Sequence, residues 1–262
     1  MLSIISSGLL AANKEISTIS NNISNANSTG YKRSTMEFQD IYAKTSDQID
    51  NAITGMGARN SGMRVIHSQG SLETTGMTLD LGISGYGMFV GTDPVDGGRS
   101  YTRDGSFSLN EAGQIITNTG NILMSTTGEP ITIPFRVMNN DTSGQYLDVN
   151  SILINARGEV SADYGTNVKL QLGQIGLARF RNVNGLTQRG LNEFEASNLS
   201  GLPTFGAPVD GVFGQIVQGS IEASNTDVSN EMVMMMRAQQ AFGAASRLVQ
   251  AEADIVSTFT KG

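Results

Sequence analysis

The chain has 262 residues, of which 39% are hydrophobic and 16% charged, and a formal net charge of −7. An acidic chain without a lysine and arginine cluster is a poor nucleic-acid binder, because phosphate neutralisation supplies most non-specific affinity. The absence of cysteine excludes disulfides, thiolate metal sites and cysteine nucleophiles, and the apolar runs fall far short of the roughly 20 residues a membrane helix needs.

The N-terminal segment superficially resembles a secretory signal. Its first positive charge, Lys14, follows the apolar stretch instead of preceding it. No cleaved signal peptide is expected, and export would need another route. The same segment is strongly periodic. Leu2, Ile5, Leu9, Ala12, Ile16, Ile19, Ile23 and Ala26 recur at alternating spacings of three and four. That is the seam of an amphipathic helix that packs on another helix. The faces away from the seam carry Ser3, Ser6, Asn13, Ser17 and Ser20 and are nearly uncharged. The helix is expected to fail within residues 25–30, where asparagine and serine bond to local backbone and Gly30 admits positive φ. Lys32-Arg33, an adjacent basic pair, reads as a solvated turn.

The following segment, Ala43 to Thr54 above all, is too polar for a core and reads as an extended spacer. From about Met63 to Gly214 the pattern is that of short strands. Leu79 to Gly85, Met88 to Val90, Ile115-Ile116, Ile131 to Ile133, Ile152 to Ile154, Val168 to Leu170 and Ile175 to Phe180 are separated by turn clusters such as Asn110 to Gly113 and Asn155 to Gly158. The C-terminal segment returns to the helical rhythm. Asp227 or Ser229 can cap it, and Met235, Ala238, Phe242, Ala245, Val249, Val256 and Phe259 form its seam, broken once by Glu252. Met232 to Met236 is rich in thioethers, which tolerate variable packing at an interface. The prolines all lie between Pro94 and Pro208, so neither end is barred from forming a long helix.

The expected fold is α+β. Paired terminal heptad helices, parallel or antiparallel, form a discontinuous helical domain over 1–35 and 218–262. A spacer occupies 36–62, and a mostly antiparallel β domain occupies 63–217. The seam residues Leu2, Ile5, Leu9, Ile16, Ile19, Ile23, Met235, Phe242, Val249, Val256 and Phe259 are the candidate polymerisation interface.

Chemical sites are sparse. His67 is the one histidine, and no Gly-x-Ser-x-Gly elbow provides a nucleophile. The glycine-rich stretch Gly82 to Gly91 lacks the spacing of a dinucleotide fingerprint. Asp80, Asp93, Asp96 and Asp104 do not follow a calcium-loop pattern. Neither an enzyme nor a cofactor is expected.

Several motifs point to one family. Ser20 to Arg33, with its asparagine turn before Gly30-Tyr-Lys, resembles the N-terminal signature of the flagellar basal-body rod and hook proteins. Phe38 to Tyr42, His67-Ser-Gln-Gly70, Leu79 to Phe89 and Tyr101 to Phe107 are similar to the family's succeeding segments. Gln218 to Asn225 with Arg237 to Phe242 resembles its C-terminal entry. The matches occur in order over nearly the whole chain. The resemblance implies a subunit of a helical tube in the bacterial basal body, with terminal helices lining a channel and torque passing along the tube. It implies as partners other copies of the chain, neighbouring rod and hook proteins, bushing rings around the rod and the flagellar type III export apparatus. A secreted adhesin-like binding module is the competing reading from another class.

Overall fold

The computed structural model describes residues 2–43, 54–138, 146–165 and 168–261. These residues form two compact units, one of residues 1–26, 32–66 and 226–262 and the other of 27–31 and 67–225. The expected α+β class is what the structure has.

The first unit contains both terminal helices, α1 (Leu2–Ser24) and α2 (Val228–Lys261), which pack on each other. Helix α1 ends within the asparagine-rich run that begins at Asn21. The Asn25 amide donates to the carbonyls of Asn21 and Asn22, and the Asn25 side chain also donates to the Asn21 carbonyl. Of the two expected caps for α2, Asp227 is used: its Oδ1 accepts from the amides of Ser229 and Asn230 at 2.9 and 3.2 Å. Such a cap is typically worth about 1 kcal/mol.

The expected spacer over 36–62 is different in its described part. β1 (Ser34–Ala43) and β2 (Thr54–Val65) pair antiparallel, from Ser34 opposite Val65 to Ala43 opposite Thr54. Both strands pack on α1, so this segment belongs to the helical unit. Irregularities between Glu37 and Phe38 and between Asp40 and Tyr42 interrupt the pairing, which explains why strict alternation is missing from the sequence. Gly57 lets β2 approach α1, because a Cβ there would lie 2.3 Å from Ser7 Oγ, the atom that accepts from the Ala58 amide. The core of the spacer expectation, 44–53, lies outside the described residues.

The second unit is antiparallel throughout its strand pairs. Its largest sheet runs, in spatial order, through Thr187–Gly190, Glu193–Glu195, Arg99–Thr102, Met88–Thr92, Ile122–Leu123, Ile115–Thr117 and Phe107–Leu109. Leu177–Arg179 pairs with Met88–Thr92 and with Thr204–Gly206. A three-stranded sheet of Ser151–Ile154, Glu159–Asp163 and Lys169–Gln174 joins the same core. Leu81, Ile83, Phe89, Ile115, Leu123, Ile133, Val160, Ile175 and Leu177 are fully enclosed or nearly so, and Phe89 meets Phe107 edge to face at 5.0 Å.

Two sequence expectations change here. Ile131 and Ile133 are core residues, but their segment makes only a single bridge, Gln114 to Thr132. Pro130 and Pro134 flank it and remove the ladder donors at both ends. Residues 218–225 belong to the β unit, since Ser220–Glu222 pairs with Leu72–Thr74. Phe89→Ala leaves a cavity at the centre of this core and is expected to cost about 3–5 kcal/mol. Chemical denaturation of the full chain followed by circular dichroism measures that loss.

Candidate polymerisation surface

The pairing of α1 with α2 is set by a polar cluster at one end. The Glu231 carboxylate, 2% exposed, accepts from Asn22 Nδ2 at 3.1 Å and pairs with Arg33 Nη1 at 3.2 Å. Asn22 also matches a strand residue: its Nδ2 donates to the Ser34 carbonyl at 2.8 Å, and its Oδ1 accepts from the Ser34 amide at 2.9 Å. Glu231 lies in the first turn of α2 and Asn22 in the last turn of α1, so the helices run antiparallel. The sequence reading of Lys32-Arg33 as a solvated turn is corrected, because Lys32 is buried and Arg33 is committed to Glu231.

Along this pair the seam closes within the chain. Ala12, Ile19 and Ala238 are buried, and Ile5, Leu9, Ile16, Ile23, Met235, Phe242 and Val249 are half-buried. The Leu2 side chain lies outside the described residues. The last two seam positions differ: Val256 is 53% exposed and Phe259 83%. The cause is length. Helix α2 has 34 residues against 23 in α1, and with their polar ends tied together α2 outruns its partner. Glu252, which interrupts the seam, holds Oε2 out of solvent without a hydrogen bond. Further apolar side chains lie exposed on the outside: Leu10 on α1, Met232 and Met236 of the thioether run, and, on another face of α2, Leu248 and Ile255 one heptad apart. Beside Met236 a shallow groove is lined by Met236, Gln239, Gln240, Gly243, Ala244 and Arg247. The sequence reading singles out the thioether run; the signal for Leu248 and Ile255 is the apolar composition of α2 outside the heptad positions.

In the β unit, motifs distant in sequence converge on one buried carboxylate. Glu222 accepts from Arg103 Nη1 and from the Gly70 amide, both at 2.9 Å, while Arg103 Nη2 donates to the Gly85 carbonyl at 2.8 Å. The 27–31 segment threads into the same place. The Gly30 amide donates to the Glu222 carbonyl at 2.7 Å, Thr29 Oγ1 donates to Asp104 at 2.9 Å, and Asn192 Nδ2 donates to the Thr29 carbonyl at 2.9 Å. Gly30 sits at φ 66°, and a Cβ there would lie 2.4 Å from the Asp104 amide nitrogen. His67 lies against the Phe194 ring at 5.1 Å, in an aromatic contact. These groups tie distant segments of the β unit to one another.

Among the described residues, no group of acidic or histidine side chains is placed to hold a metal ion, and no helix is long and apolar enough to cross a membrane.

With this geometry in hand, comparison with known proteins is specific. Residues 2–32 match the family described as flagella basal body rod protein. Residues 82–162 match the flagellar hook protein FlgE/F/G D1 domain, and residues 217–260 the flagellar basal body rod FlgEFG protein C-terminal region. The flagellar basal-body rod protein FlgG of Agrobacterium fabrum is 33% identical over 99% of this chain and 98% of its own length. That of Borreliella burgdorferi is 32% identical over 93% of this chain and 91% of its own, and that of Bacillus subtilis 31% over 95% and 94%.

Two substitutions probe the two clusters. Glu231→Ala removes the buried member of a part-buried ion pair and is expected to cost about 2 kcal/mol, read as earlier loss of helical signal in a thermal scan. Gly30→Ala is expected to cost roughly 2–3 kcal/mol through strain and clash, and a lowered denaturant midpoint of the full chain checks it.

Proposed function

The chain belongs to the flagellar basal-body rod protein family, and from that premise we propose how its terminal helices build the rod. It is a structural subunit of the distal flagellar rod type, located in the basal body, that polymerises into a helical tube transmitting torque. Its partners are other copies of itself and neighbouring rod and hook proteins.

The observation that carries the proposal is the surplus apolar surface of α2. The inner seam, Ile5, Leu9, Ile16, Ile19, Ile23, Met235, Phe242 and Val249, shapes each helix pair into a stiff unit. Val256 and Phe259, past the end of α1, and the exposed apolar residues Met232, Met236, Leu248 and Ile255 on its outer faces then seat on neighbouring subunits. Exposed apolar rows of this extent mark an interaction surface. A head-to-tail contact between unlike surfaces that does not close produces a helical filament. The helical domain acts in polymerisation. The remaining partners follow as part of the same proposal: bushing rings surround the rod, and the type III export apparatus exports the chain. The protein carries out no catalysis and uses no cofactor.

Val256→Asp combined with Phe259→Asp tests this. Both positions are exposed in the free chain, so helix content and denaturation midpoint should stay within about 0.5 kcal/mol of the parent. Electron microscopy of basal bodies from cells carrying only this variant should find rods missing or truncated. Phe242→Asp is the contrast, because a charge between α1 and α2 should also lower the helical melting temperature. Normal rods with the double variant sink the proposal.

A further inference from the structure

The thioether run of α2 has a property that packing alone does not use. The chain has 12 methionines and no cysteine, so thioethers are its softest and most readily oxidised groups. They are unevenly placed. Met63, Met77 and Met138 are exposed singly, whereas Met232, Met234 and Met236 are exposed together on one turn of α2, at 53%, 41% and 54%; Met235 is half-buried on the seam and Met88 is buried in the β core. Met232 and Met236, four residues apart, share a face, and that face continues into the groove beside Gly243 and Ala244. No charged side chain stands between 232 and 236, so nothing polar already occupies the row.

We propose that Met232, Met234 and Met236 form an oxidation-sensitive modification site, and that their conversion to sulfoxide by a hypohalous acid bars an unassembled subunit from the rod. The inference rests on the reading of the outer face of α2 as the seat for a second copy of the chain. In the chemistry, the thioether sulfur attacks the halogen of hypochlorous acid and hydroxide leaves. Water then displaces chloride from the chlorosulfonium, and one of the two protons this water loses neutralises the hydroxide, so thioether and acid become sulfoxide, chloride and one proton. Sulfur loses two electrons and chlorine gains them. The product replaces a flexible apolar group with a strong dipole, which a dry helix contact cannot solvate. Once two subunits meet, the same sulfurs are covered, so the window for modification closes on assembly. A sulfoxide reductase reopens the subunit for use.

The test uses the full chain. Purified subunit and isolated rods are titrated with hypochlorite, and sulfoxide at each methionine is read by peptide mass spectrometry. Met232, Met234 and Met236 should oxidise in the free subunit well before Met88 and be protected in rods. Oxidation no faster than at Met88, or equal oxidation in rods and free subunit, overturns the proposal. Two variants separate it from the reading beneath it. M232Q/M234Q/M236Q imitates the oxidised state and should lose incorporation into rods, whereas M232L/M234L/M236L should assemble and stay competent after hypochlorite. Where the triple glutamine chain loses helix by circular dichroism, Met236→Gln alone carries the same comparison. If the glutamine chain assembles normally, the outer face of α2 is not the seat and both ideas fall. If it fails to assemble while the leucine chain is inactivated by oxidant as readily as the parent, the oxidation proposal alone falls.

Discussion

Glu231 holds a carboxylate almost wholly out of water at the start of α2. An isolated charge in that position would cost several kcal/mol, so it persists only with partners. Asn22 and Arg33 supply them, and both are more than 190 residues away along the chain. Their positions leave little choice about the rest of the helical unit. Asn22 can reach Glu231 only if the end of α1 meets the start of α2. The helices must then run antiparallel, and the longer one must project. The hairpin is placed by the same group, since Asn22 pairs with the backbone of Ser34 where β1 begins.

From this follows a division of labour between two kinds of apolar surface. The residues at heptad positions up to Val249 are taken up inside the chain by the antiparallel pair, which a seam of small and medium side chains such as Ala12 and Ala238 packs closely. What remains for neighbours is the surface the heptad does not explain, with Val256 and Phe259 beyond the end of α1. A monomer that needed only to fold would have little reason to place Leu248, Ile255 and Phe259 in water. A subunit that spends its life in a polymer does, and its family membership agrees.

Much of this organisation was legible in the sequence, and the reasons are local. Helix α1 and its end could be read because heptad spacing and the asparagine run act over a few residues. The Asp227 cap follows from the same short-range rules. The strands at Leu81 and Met88 announced themselves as apolar runs between glycines. The hairpin of β1 and β2 did not, because two irregularities and the charges of Glu37 and Asp40 break its alternation. Nor could Lys32, Arg103 and Glu222 be recognised as buried, or Arg33 as paired. Nothing near Arg103 signals a partner 119 residues away, and charged residues are read as solvated by default. The Ile131 to Ile133 segment gave its burial correctly and its pairing wrongly, because hydropathy reports removal from water and says nothing of which amides find a ladder partner.

The route of the chain between its two compact units has a mechanical meaning. It passes from one to the other after residues 26, 31, 66 and 225. A protein whose domains follow one another in sequence hangs them on one tether, and a single cleavage or a single swivelling bond releases them. Here load applied to one unit reaches the other along several covalent strands at once. Rotation about any one backbone bond is opposed by the others, and cutting one passage leaves the units joined. A shaft component that must turn without winding up gains from that wiring before any contact between subunits is made.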